Sequence, residues 1–179
     1  MELHQIQVAY QAAEDRILCR ASFRAEDGSL QEVRSWLTRR MVKALWPAML
    51  EAMEQQVGLD NPQAAHASGH VVEMEHYASV AAIRDSGSFN AAYEDDIRGF
   101  PIGETPILVT NANFNLAAGQ PIRMNLAPAD GSGVEFALPQ QVLHGFSSLL
   151  QEAVKSAEWD LDLALPGGEL AAPVSRALN

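Results

Sequence analysis

Two stretches of this chain run through the same alternation of apolar and polar positions. In residues 16–24, Ile17, Cys19, Ala21 and Phe23 fall on one side of an extended strand, and Arg16, Leu18, Arg20, Ser22 and Arg24 fall on the other. That is the period of two of a strand with distinct faces. Asp27-Gly28-Ser29 follows as a tight turn, because Asp and Gly both tolerate positive φ, and residues 30–37 read as the return strand. The period then changes. Met41, Leu45, Met49, Met53 and Val57 recur at every fourth residue, the apolar stripe of a helix over residues 39–57. Thr38 stands where its hydroxyl can accept an orphan N–H of the first turn. Pro47 removes one helical hydrogen bond and is expected to bend the helix near residues 43–46.

The second stretch, residues 121–159, repeats this order. Residues 106–116 and 121–126 read as strands, and 134–138 as a return strand after the turn Asp130-Gly131-Ser132. Pro139 is suited to a first helical position, where its missing N–H is not needed. Val142, Phe146, Leu149, Leu150, Ala153 and Ala157 then form the stripe of a second long helix. Residues 4–12 supply an opening strand with weaker patterning.

The fold class expected is therefore α+β: two strand-strand-strand-helix units, about residues 1–58 and 105–163, making antiparallel sheet covered by two long helices in a pseudo-twofold arrangement. Together they form one globular domain over 1–165. Inserted at 60–104 are a helix, started by Pro62 and running through Ile83, and a long mobile loop over 85–104. The loop holds Asp85, Glu94, Asp95, Asp96 and Glu104 among glycines, with no clear period. Residues 166–179 read as a flexible tail.

Composition adds constraints on partners. Of the net charge of −11, residues 1–58 contribute seven basic against eight acidic side chains, and 59–179 five against fifteen. An acidic whole disfavours a general nucleic-acid binder, since phosphate attraction needs positive potential. The single cysteine, Cys19, has no internal disulfide partner, which fits a reducing compartment. With no secretion-signal pattern at the start and no membrane-length apolar run, a cytoplasmic location without membrane association is expected.

Two clusters are candidates for chemistry. Arg16, Arg20, Arg24, Arg34, Arg39 and Arg40 concentrate positive charge beside Trp36, whose indole could stack on a base while the arginines hold phosphates. The competing reading is a solvated sheet face paired with Glu14, Asp15, Glu26, Asp27 and Glu32. Arg39 and Arg40 open a helix, where anions are preferred, so they are expected to face a carboxylate or phosphate from elsewhere. The second cluster is His66, His70, Glu73 and His76, on one arc of the inserted helix. One helix supplies ligands to only one side of an ion, and the pattern lacks the His-Glu-x-x-His signature. A solvated helix face is the simpler reading, and no metal site or cofactor is called for. Cys19 lies on the apolar side of its strand and His144 beside the second stripe, both as packing groups. No nucleophile elbow or phosphate loop is present.

Asp15-Arg16-Ile17-Leu18, Trp36-Leu37-Thr38-Arg39-Arg40 and Leu143-His144-Gly145-Phe146 together resemble an uncharacterised family of proteobacterial proteins, over nearly the whole chain. That resemblance implies no activity. The twice-repeated order of strands and helix is similar in topology to Pur-alpha and Whirly-type domains, which bind single-stranded nucleic acid on basic four-stranded units. Here each unit has three strands and the chain is acidic. The function expected is a non-catalytic interaction module with a protein partner or self-association. Trp46, Met49 and Met53 are the expected dimer contact. The alternatives are single-stranded nucleic-acid binding on the arginine face, and an enzyme with a site between the units.

Overall fold

The computed structural model describes residues 2–166. The first unit comprises β1 (Glu2–Gln11), β2 (Arg16–Arg24), β3 (Leu30–Leu37) and α1 (Arg39–Asp60). A 3-10 turn and α2 (Ser68–Asp85) follow, then β4 (Ile97–Gly99) and β5 (Ile107–Leu108). The second unit comprises β6 (Asn111–Asn115), β7 (Ile122–Ala127), β8 (Val134–Leu138) and α3 (Gln140–Ser156). The fold is mixed α+β, and the order strand-strand-strand-helix occurs twice.

The two Asp-Gly-Ser turns agree in detail. Gly28 and Gly131 take φ of 81° and 80°, a region that glycine enters without steric cost. In each turn the serine N–H and hydroxyl both donate to the Asp carboxylate, at 2.9 and 2.6 Å, from Ser29 to Asp27 and from Ser132 to Asp130. Thr38 caps α1 as its position predicts, accepting from the Met41 N–H at 3.1 Å. α1 runs through Pro47 as one helix. Pro139 precedes the first helical residue of α3 instead of filling it.

Three expectations are corrected. Residues 106–116 are not one strand: β5 pairs with β3, and β6 begins a separate three-stranded sheet with β7 and β8. The first sheet is not purely antiparallel, because β4 and β5 both join β3 in parallel. Residues 85–104, expected as a long, partly mobile loop without regular structure, carry the short strand β4 and a 3-10 turn at Ser88–Asn90 within an otherwise irregular path. The expected flexible tail lies outside the described residues except for Pro166.

The helices cross over between units. α3 packs on β1, the first strand of the first unit, and α1 packs on β6, the first strand of the second. Phe23 and Phe136 stack at 5.8 Å and join the two sheets. Buried residues of both units consequently form one cluster. Trp46, Met49 and Met53 lie inside it and not on a dimer surface; the Trp46 Nε1–H donates to the Ala164 carbonyl at 3.0 Å. Their apolar stripe is covered by the chain itself, through β6, β7 and the partly buried Leu161, Leu163 and Leu165.

Cys19 is 4% exposed, and burial pushes its thiol up to about 12. Neutral thiols are poor nucleophiles. Cys19 is therefore expected to resist a thiol-specific reagent at pH 8 until the chain unfolds. Stopped-flow labelling checks this, and reaction at the rate of a free thiol would contradict the burial.

Candidate functional site

The registers of β2 and β3 put Arg20 opposite Arg34 and Leu18 opposite Trp36, so Arg16, Arg20, Arg24, Arg34 and Trp36 share one sheet face, as the alternation predicts. What neutralises that face differs from expectation. Among the described residues, Glu14, Asp15, Glu26 and Asp27 pair with none of these arginines. Asp15 instead accepts from the Tyr10 hydroxyl and the Trp159 Nε1–H, and Asp27 is held in its turn.

Glu32, 0% exposed, sits between Arg20 and Arg34. Arg20 Nε donates to Glu32 Oε2 at 3.0 Å, and Arg34 Nε donates to Glu32 Oε1. Arg20 Nη2 also reaches Asp95 Oδ1 at 2.6 Å. Burial pushes the Glu32 carboxyl up, but its contacts with Tyr93, Arg34 and Arg20 outweigh that and hold it below its usual value. Burial likewise opposes the charge on Arg20, and its bonds to Asp95 and Glu32 restore it.

Asp95 belongs to the acidic segment, which lies across the arginine face. Glu94 Oε1 is 3.1 Å from His4 Nε2. The Gln5 amide bonds to both the Ala92 carbonyl and the Glu94 N–H, at 3.1 and 2.9 Å. The Tyr93 ring lies 4.1 Å from the Arg20 guanidinium and the Phe100 ring 4.7 Å from that of Arg34, both within cation–π range. The Tyr93 hydroxyl forms no complete hydrogen bond. It is still near enough to Glu32 that burial, and then this carboxylate, push the phenol up. The sequence signal for this strap was the presence of aromatics, Tyr93 and Phe100, within an otherwise polar stretch.

The remaining arginines are elsewhere. Arg39 and Arg40 are exposed, and Arg39 donates to the Asp160 carbonyl at 3.2 Å. That peptide oxygen takes the place of the expected carboxylate or phosphate.

The expected histidine face divides. The single helix predicted from Pro62 is a 3-10 segment, Pro62–Ala67, followed by α2, so His66 is not on α2 at all. His66 and His70 are exposed and Glu73 is half-buried, but His76 turns inward, 5% exposed. Its ring meets that of His144 on α3 edge to face at 5.5 Å. No three metal-ligating residues gather among the described residues. Ser147 Oγ lies 3.4 Å from His76 Nδ1 but donates to the His144 carbonyl at 2.8 Å. Ser147 is 0% exposed, so this serine-histidine contact offers a substrate no approach. The Glu75 carboxylate, pushed up by burial, stays 4.0 Å from His144 Nε2, too far for a hydrogen bond.

A cleft of about 580 Å³ runs along β1. Residues 3–8 all line it, so both faces of β1 and the edge between them border the space. Val142, Gly145, Phe146 and Leu149 of α3 form one wall, and Ile83, Phe89, Ala91 and Tyr93 close another. A Cβ on Gly145 would stand 2.8 Å from Ile83 Cδ1, the movable end of a side chain on α2, so the two helices approach closely here. β1 pairs only with β2 among the described residues. Its outer edge therefore offers unpaired backbone groups to the cleft. Sequence reasoning missed this site, because nothing in the pattern of β1 says that it is an edge.

No protein-family model, curated protein or solved structure matches the chain. No helix among the described residues is long and apolar enough to cross a membrane.

Proposed function

We propose that this chain is a non-catalytic interaction module that takes an extended segment of a partner protein along the edge of β1. The observation that carries this reading is the character of that edge. β1 is ten residues long and holds one charged residue, Glu2, with no lysine or proline. Protein sheets ordinarily protect an exposed edge with lysine, proline, a bulge or a covering element. β1 has the register shift between Leu3 and Gln5 and the strap's bonds to His4 and Gln5 near its start, and it opens into a cleft between strand and helix. A segment added there gains main-chain hydrogen bonds along the edge, with pockets for alternate side chains. Ile6 and Val8 share the face of β1 that pairs with Ala21 and Cys19, so apolar side chains fit on the α3 side. On the other face Gln5 and Gln7 are already engaged, Gln5 by Ala92 and Glu94 and Gln7 by Arg20.

Nucleic-acid binding on the arginine face is the weaker reading, because Arg20 and Arg34 already hold Glu32 and Asp95. An enzyme is a weaker reading still, because the histidine and serine groups that gather, His76 on α2 with His144 and Ser147 on α3, are buried.

Selection of peptides from a random library against the full chain tests the proposal. The expected ligands are extended peptides with alternating apolar residues, whose binding perturbs backbone amide resonances of β1 and α3. Leu149→Lys, at a half-buried position on the cleft wall, should weaken binding at least tenfold while leaving the melting temperature within a few degrees. Recovery of no binder, or binders indifferent to Leu149→Lys, would remove the reading.

A further inference from the structure

The outer face of α2 is largely apolar and is covered by none of the described residues. Its exposed positions are His70, Met74, Tyr77, Ala78, Ala81, Ala82, Arg84 and Asp85. They are linked by steps of three and four, one continuous stripe on a helix with Met74, Tyr77, Ala78, Ala81 and Ala82 between polar ends. Met74 is 72% exposed and Tyr77 63%, the two most exposed of the large apolar side chains in the described residues. α2 buries only Val72 and His76 toward the body. Isolated exposed apolar residues are ordinary, but a contiguous stripe marks a contact surface.

The order of residues along this stripe is self-complementary. When two copies of α2 are laid antiparallel about a twofold axis near Tyr77 and Ala78, large side chains meet small ones: Met74 of each copy falls opposite Ala81 of the other. Tyr77 of each copy likewise falls opposite Ala78 of the other, on either side of the axis. At the ends, His70 comes opposite Asp85, so that an imidazole N–H meets a carboxylate. A parallel arrangement would instead set each of these groups against its own copy. Antiparallel twofold pairing is the isologous geometry in which one patch serves both subunits.

We propose that α2 is the contact of a twofold homodimer of this chain, packed antiparallel through Met74, Tyr77, Ala78 and Ala81. The dimer leaves the β1 cleft accessible, because Ile83 lies on the inward side of α2 and lines that cleft. It stands or falls separately from the proposed peptide site. A single helix pair buries less than the roughly 1,000 Å² that marks a stable interface. Dimerisation is therefore concentration-dependent, with a dissociation constant on the order of micromolar or weaker.

Sedimentation equilibrium of the full chain between about 1 and 300 µM tests this. The expected result is a monomer–dimer equilibrium that Ala81→Arg weakens at least tenfold. Ala81 is exposed, so circular dichroism and melting should be unchanged; Met74→Lys serves the same purpose should Ala81→Arg misfold. Asp85→Lys should weaken the dimer, and His70→Glu combined with Asp85→Lys should restore it, which reads the antiparallel register directly. A chain that stays monomeric throughout this range, or a dimer indifferent to both Ala81→Arg and Met74→Lys, would overturn the proposal. A dimer weakened by Ala81→Arg but not restored by the double charge exchange would overturn the antiparallel register.

Discussion

Replacing Glu32 by alanine is expected to destabilise the chain by about 3 kcal/mol, the low end of what removing one partner of a buried ion pair costs. Glu32 is fully buried between two guanidinium groups. Its loss leaves Arg20 and Arg34 facing each other across adjacent strands with no carboxylate between them. The low end applies because the Arg20 and Arg34 side chains keep 16% and 30% exposure and Arg20 retains Asp95. Glu32→Gln, which keeps the shape and part of the hydrogen bonding, should cost less. A triple change of Arg20→Met, Glu32→Leu and Arg34→Met should come out close to the parent, because well-packed apolar groups replace a buried triad at little net cost. Urea unfolding of the four proteins checks the series. A Glu32→Ala variant within 1 kcal/mol of the parent would mean that water or the strap satisfies the two arginines. Hydrogen exchange in residues 91–100 should also quicken in Glu32→Ala, because the strap is held through Arg20 and Arg34.

The second large effect is a loss of stability in mild acid. His144 is 0% exposed and neither ring nitrogen has a hydrogen-bond partner. Burial, and then the neighbouring His76, lower it from 6.5 to about 4. Burial lowers His76 as well. The unfolded chain therefore takes up these protons at a higher pH than the folded chain does. The stability owed to the neutral pair is complete above about pH 6.5, falls as the pH drops below it, and levels off near pH 4. The interval for His144 alone corresponds to on the order of 3 kcal/mol. Carboxylates such as Glu32, held below their usual value, lose their contribution only at lower pH, so the two effects separate along the pH axis. His144→Leu, close in volume and with no unsatisfied nitrogen, should flatten most of the change between pH 6.5 and 4 and be more stable than the parent at pH 5. Thermal melts at half-unit pH steps decide this. An unchanged slope in His144→Leu would assign the acid sensitivity to other groups.

Local features of this fold were legible in the sequence because they rest on interactions within a few residues. The period-two alternation of residues 16–24 set the two faces of β2. The Asp-Gly-Ser turns carried their own hydrogen bonds and the positive φ that glycine permits. Thr38 announced the start of α1, and Cys19 fell on the side that became the core. The tertiary structure decided the rest, because it depends on partners distant in sequence. The acids that neutralise the arginine face come partly from Asp95, 75 residues after Arg20, and no local pattern distinguishes it from Glu14 or Asp27. His76 left the exposed histidine face because α3 lies against that side of α2. The stripe of Trp46, Met49 and Met53 pointed inward because α1 crosses to the sheet of the second unit. By itself the sequence determined which side chains share a face. Only the packing of one element on another determined which faces are covered, and so left the edge of β1 and the outer side of α2 open among the described residues.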